Sequence, residues 1–433
     1  MNAGRRTHDV KSGTLSFDGV EYPDAEASDP IRLGWMRGSP PPPERRIRFE
    51  DDRFLEFPQL RWSLSHMREL VPTVRVRRGG HASARWPTPD ASTQAAIDAL
   101  AFADLDDRRR TWRDSLADTY TDGILVLHRG VPVYERYFGA LDARTPHACF
   151  SITKSYAATV AATLIHEGAL DETKTVPYYL PEMAESAYRE ATLRHLLDMQ
   201  VGVAYSEEYQ DPKAEIWAYA RAGGLRPRRS NDAGPTNYYD FLVTLRRHGE
   251  HGRTFDYKTV NTEVLGWIMK RVTGFGLADT LSHRFWAPLS CEEDAYLSVD
   301  SIGVEMSGGG LSACLRDVAR FGEMMRREGD WNGVEIVPAA VVADIRAGSD
   351  PSKFSATEYP LLPGYSYRSM WWIAHDALGT FEGRGIHGQR LYVAPRAELV
   401  IARFASHPIA TSAANDPVTL PAFRALAREL GGT

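Results

Sequence analysis

Short, strand-length apolar runs bounded by polar and turn residues mark both ends of this chain, and apolar spacing of three and four fills the middle. Gly123-Ile-Leu-Val-Leu-His128 and Val131-Pro-Val-Tyr-Glu-Arg-Tyr137 are apolar runs joined by Arg129-Gly130, the pattern of two strands and a tight turn. From Ser151 the apolar or small residues Tyr156, Ala157, Val160, Ala161, Leu164 and Ile165 recur at three and four, and Gly168 can end that helix. Residues 193–286 read as mainly helical, with a clear helix at Thr262 to Val272, and a further amphipathic helix runs from Leu315 to Glu328. Gln389 to Ala394 and Glu398 to Ala405 read as strands joined through Pro395-Arg396, and a last helix is expected from Pro421 to Leu430. No internal repeat interrupts the pattern.

Strands early, helices in the middle and strands late imply a sheet built from both ends of the chain, with a helical insertion between them. The expected parts are an irregular N-terminal arm over 1–50, a sheet domain over 51–155 and 310–433, and a helical domain over 156–309. The arm is placed there by its Gly, Pro, Asp and Arg content and by Pro40-Pro41-Pro42-Pro43, which favours extended geometry.

Composition narrows the function. The chain has 433 residues and 43% hydrophobic content, enough for a substantial core. Its 51 Lys and Arg against 57 Asp and Glu give a net charge of -6, which argues against nucleic-acid and anionic-membrane partners. No stretch approaches the roughly 20 apolar residues of a membrane helix. Cys149, Cys291 and Cys314 are an odd set without metal-like spacing, so free thiols in a reducing compartment are expected. With no signal-peptide core after Met1 to Gly13, a cytoplasmic location is expected. Nothing implies a metal or an organic cofactor, and a homodimer is the default oligomeric expectation.

Three segments carry candidate chemistry. Phe150-Ser151-Ile152-Thr153-Lys154 is a Ser-x-x-Lys, whose hydroxyl and amine share one helix face. A serine hydroxyl needs a base, and a desolvated lysine loses its proton near neutral pH, so Lys154 is expected to rest neutral. About one such tetrapeptide arises by chance in a chain this long, so the motif gains meaning only from its company. Asp256-Tyr257-Lys258-Thr259 follows about a hundred residues on; a phenol beside an ammonium is expected to have a lowered pKa and to share the base role. Gly383-Arg-Gly-Ile-His-Gly-Gln389 leads into a strand, and there the Ile386 amide can join the Ser151 amide as an oxyanion hole. His387 is a candidate substrate contact in the same loop.

As an ordered set these segments resemble the Ser-x-x-Lys, Tyr-x-Asn and Lys-Thr-Gly or His-x-Gly signature of class C β-lactamases, penicillin-binding proteins and related esterases. His66-Met-Arg-Glu-Leu-Val-Pro72, Leu197-Asp-Met-Gln200, Tyr205-Ser-Glu-Glu-Tyr-Gln-Asp-Pro212 and Gly385-Ile-His-Gly-Gln389 are similar to the 6-aminohexanoate-dimer (nylon-oligomer) hydrolases. The resemblance implies an α+β, β-lactamase/transpeptidase-like fold, with a mixed α/β domain on a central antiparallel sheet and an inserted mainly helical domain. It implies Ser151 as acyl-enzyme nucleophile, Lys154 and Tyr257 as proton carriers, and Tyr209 as a loop tyrosine that closes over substrate. Thr259 replaces the asparagine of the β-lactamase pattern and His387 the lysine, which argues against β-lactam turnover. The expected activity is hydrolysis of a small linear amide or short-chain ester, with acyl transfer to an amine, or a binding role on an inactive scaffold, as alternatives. Glu207, Glu208 and Asp211, flanking Tyr209, are candidate partners for a substrate ammonium.

Overall fold

In the computed structural model every residue is described except 1–5, 10–13, 18, 81–82, 84–85, 356 and 433. Three short strands, β1 (Arg6–Asp9), β2 (Thr14–Phe17) and β3 (Val20–Pro23), pair in order as an antiparallel sheet. At 6–9, 14–17 and 20–23 this corrects the expectation of an irregular arm over 1–50; residues 1–5, 10–13 and 18 of that arm lie outside the described residues. Leu15 and Phe17 alternate inward on β2 and pack with Tyr120 and Ala414, so a two-residue apolar period too short to stand out in sequence is fixed by tertiary contact.

The central sheet has seven antiparallel strands. They are β4 (Thr121–His128), β5 (Val131–Tyr137), β6 (Ser366–Arg368), β7 (Trp371–Ile373), β8 (Phe381–Gly385), β9 (Gln389–Ala394) and β10 (Leu399–Ala405), in the order β6-β7-β8-β9-β10-β4-β5. The ends of the chain meet where β10 pairs β4, Val400 opposite Leu127 and Ala402 opposite Leu125. β4 is buried on both faces and therefore reads as an unbroken apolar run. Leu125 and Leu127 join the larger core, while Ile124 and Val126 face a second one.

Helices α1 (Ile152–His166), α2 (Glu215–Ala222), α3 (Val260–Thr273), α4 (Leu315–Arg326) and α5 (Asp416–Gly431) cover this sheet or build the insertion. α4 and α1 pack on one face, α5 on the other, and α3 packs on α1 within the insertion. The fold is α+β with a central antiparallel sheet and a mainly helical insertion, as expected. α5 begins five residues before the expected Pro421. The Pro417 carbonyl that Pro421 cannot serve accepts the Leu105 amide instead at 2.9 Å, which lets the helix run through the proline.

Among the described residues, Cys149, Cys291 and Cys314 are buried free thiols. No described helix is long and apolar enough to cross a membrane.

Candidate active site

α1 packs against β8 and β9 of the central sheet, and its start is shaped by backbone. Phe150 takes a left-handed φ of 44°, which turns the chain from the strand His147–Ala148 into the helix and presents Ser151 at the first turn. Ser151 makes no capping bond, so its hydroxyl remains free for chemistry. On the facing strand Gly385 approaches so closely that a Cβ would stand 2.8 Å from the Cys149 carbonyl. That contact sets Ile386 beside Ser151. Neither the Ser151 nor the Ile386 amide is spent in a turn or loop hydrogen bond.

Lys154 lies one turn into α1, 1% exposed. Its Nζ donates to Ser151 Oγ at 2.8 Å and to the Gly308 carbonyl. Burial draws the amine down to about 8, against the opposing pull of Glu207 and Glu263. The expectation of a neutral resting lysine is thereby corrected: at pH 7 roughly a tenth of Lys154 is neutral. Tyr257, just ahead of α3, lines the same small cavity as Ser151. Its ring lies 5.1 Å from Lys154 Nζ and stacks on Trp372 at 5.7 Å. Burial raises Tyr257 well above the ordinary phenol range, with the Glu207 charge adding to it. The expectation of a lowered phenol fails because desolvation outweighs the lowering pull of the Arg384 charge; Tyr257 rests as a neutral phenol.

Two acidic side chains complete the surroundings. Glu263, on α3, accepts the Ser307 amide at 2.9 Å, the Gly308 amide at 2.8 Å and the Tyr219 hydroxyl at 2.6 Å, and burial pushes it up to about 7. It fixes the loop whose Gly308 carbonyl receives Lys154. Glu263→Ala strips an acceptor from three buried donors and is expected to cost about 2–4 kcal/mol in chemical denaturation; a loss under about 1 kcal/mol would mean those donors find water instead. No sequence motif exposed Glu263; its only signal was a carboxylate among apolar residues of a helix. Glu207 Oε2 accepts the Thr259 amide at 2.9 Å, whereas Oε1 is buried without a partner. Burial raises its carboxyl, with Lys154 opposing. Of the three acids flanking Tyr209, Glu207 alone faces the site; Glu208 and Asp211 are exposed.

Ser151 stands at the junction of two cavities. The larger, about 610 Å³, is mainly apolar and reaches from Ser151 past Tyr209 and α2 to Phe17, Val20 and Tyr22 of the N-terminal sheet. The smaller, about 120 Å³, holds Tyr257, Glu207, Tyr359 and Trp372. Ser151, Tyr209 and Ile386 line both. His387 lines the larger one; it sits in a left-handed conformation (φ 61°), with Nδ1 2.7 Å from the His407 carbonyl. Burial holds it neutral, down to about 4. Nδ1 must carry its hydrogen toward that carbonyl, which leaves Nε2 as an acceptor. Among the described residues no group of three or more His, Cys, Asp or Glu is placed to hold a metal.

The β-lactamase family profile matches residues 109–418, which contain Ser151, Lys154, Tyr257 and Ile386. The chain belongs to the β-lactamase family. Among relatives in this family, a 6-aminohexanoate-dimer hydrolase of Paenarthrobacter ureafaciens is 36% identical over 392 residues, 90% of this chain and 91% of that one. A solved Bacillus anthracis structure, named provisionally as a 6-aminohexanoate-dimer hydrolase, superposes with a TM-score of 0.80 at 31% identity, covering 89% and 97% of the two chains. A penicillin-binding protein homologue from Caulobacter crescentus shares the fold at 16% identity and a TM-score of 0.58, over 78% of this chain and 98% of its own. As a β-lactamase-family protein the chain is an enzyme of the serine-hydrolase class.

Proposed function

We propose that this enzyme hydrolyses a small linear amide or carboxylic ester through an acyl-enzyme on Ser151. The observation that carries the reading is the 2.8 Å hydrogen bond from a buried, pKa-lowered Lys154 to the Ser151 hydroxyl. In its neutral form Lys154 takes the Ser151 proton as the oxygen attacks the substrate carbonyl. The Ser151 and Ile386 amides receive the oxyanion, each donor contributing about 2.7–4 kcal/mol. Tyr257 hands its phenol proton to the departing nitrogen or oxygen and is reprotonated from Lys154, so the pair moves one proton without leaving a buried charge. Water then attacks the ester carbonyl by the reverse path and frees Ser151. Tyr209, placed over both cavities, closes on the bound chain.

The 6-aminohexanoate-dimer hydrolase relative makes a linear amide the first substrate to try. Intact-mass spectrometry after brief exposure to p-nitrophenyl acetate is expected to show one added acetyl group, which peptide mapping places on Ser151. Incubation with 6-aminohexanoate dimer tests amide turnover in parallel. An unmodified protein that releases no product from either compound would sink the reading. Products joined to an added amine, in place of free acid, would turn it into an acyltransferase.

A further inference from the structure

The reading above leaves the substrate open, and the larger cavity narrows it. Tyr257 lines only the smaller cavity, so a leaving group protonated by this phenol departs there. The acyl half therefore extends into the larger one. Most of that wall is apolar: Phe17, Leu55, Met67, Ile216, Trp217 and Ile409 contribute to it. Among the described residues lining it, Arg226 is the only charged side chain, and no carboxylate reaches it.

Arg226 is placed to be used. Its guanidinium lies 4.6 Å from the Trp217 ring, and its Nη1 is tethered from outside the cavity by the Asp52 carboxylate at 3.0 Å and the Asp52 carbonyl at 3.3 Å. The two side chains are 17% and 36% exposed, so solvent screens Asp52 more than Arg226. Asp52 engages Nη1 alone, and Arg226 still lines the cavity. A guanidinium held on one side by a carboxylate keeps a second edge, and a carboxylate is the group that this edge fits.

We propose that Arg226 selects acyl chains whose far end is a carboxylate, making the preferred substrates half-amides or half-esters of linear dicarboxylic acids. A chain ending in an ammonium meets an apolar wall and a cation, with no acid to receive it. This inference rests on the acyl-enzyme reading for which half of the substrate lies where. It also sets the enzyme apart in selectivity from its named relatives, since the acyl half of 6-aminohexanoate dimer ends in an ammonium.

The test uses the full chain and p-nitrophenyl esters of hexanoic and 6-aminohexanoic acids with the mono-esters of adipic and suberic acids. Wild-type kcat/KM is expected to favour the better dicarboxylic ester over the amino ester by about tenfold or more. Arg226→Met should collapse that ratio to within about threefold, and Arg226→Lys should restore part of it. A preference for the amino ester, or a ratio that Arg226→Met leaves unchanged, overturns the proposal. Calorimetric binding of adipate, suberate, hexanoate and 6-aminohexanoate to Ser151→Ala protein separates recognition from chemistry. Tighter dicarboxylate binding that is lost in the Ser151→Ala/Arg226→Met double variant supports the inference even if no ester turns over, an outcome that would count only against the hydrolase reading. Equal binding of all four acids overturns it.

Discussion

Ser151→Ala is expected to lower kcat for any accepted ester by roughly 10⁴-fold or more, because the nucleophile and the covalent intermediate disappear together. Stability should hardly move. Ser151 caps nothing, and its loss leaves Lys154 still bonded to the Gly308 carbonyl, so a change within about 1 kcal/mol is expected by thermal melting. Whatever rate survives measures what the two amides and the cavities achieve by positioning alone. Residual turnover within about tenfold of wild type would remove Ser151 from the mechanism.

Lys154→Met should be the next most damaging change, about 10³-fold or more in kcat, since Tyr257 cannot replace it. A phenol raised by burial is a weak acceptor of the serine proton at neutral pH, whereas an amine near 8 is a serviceable one. The sign of the pH dependence follows. The active form carries a deprotonated Lys154, so wild-type kcat/KM should climb with pH and level off above about 8. At pH 6 it should lie about a hundredfold below the plateau. Glu207 raises Lys154, so Glu207→Gln should move the rise to lower pH. A flat wild-type profile between pH 6 and 9, or a shift of the variant to higher pH, would exclude Lys154 as the base.

β4, the helix after Ser151, and β9 and β10 were legible because each is buried nearly all round and so is written as an apolar stretch of the length its element needs. The grouping of Ser151, Lys154 and Tyr257 was legible for another reason: the chemistry needs those side chain types, and Ser-x-x-Lys places two of them on one helix turn. What escaped depends on distant contacts. Leu15 and Phe17 form a strand only because Tyr120 and Ala414 lie against them. The charge state of Tyr257 could not be read from its neighbours in sequence, because desolvation by Trp372 and Tyr367, far along the chain, decides it. Arg226 sits in a loop rich in Gly, Pro and Arg that looks like solvated chain, and only Trp217 and Asp52 reveal that its head is held in place.

The N-terminal sheet gives the enzyme a division of labour along its length. Phe17, Val20 and Tyr22 wall the larger cavity, Phe17 edge-on to His407 at 5.0 Å, while Ser151, Lys154, Tyr257 and Ile386 all lie from residue 151 onward. Trimming the chain ahead of Pro23 would unroof the cavity and leave the nucleophile, its base and its relay untouched. One wall of the cavity is thus housed apart from both the reacting groups and Arg226, and it can be recut at the amino end while those residues stay as they are.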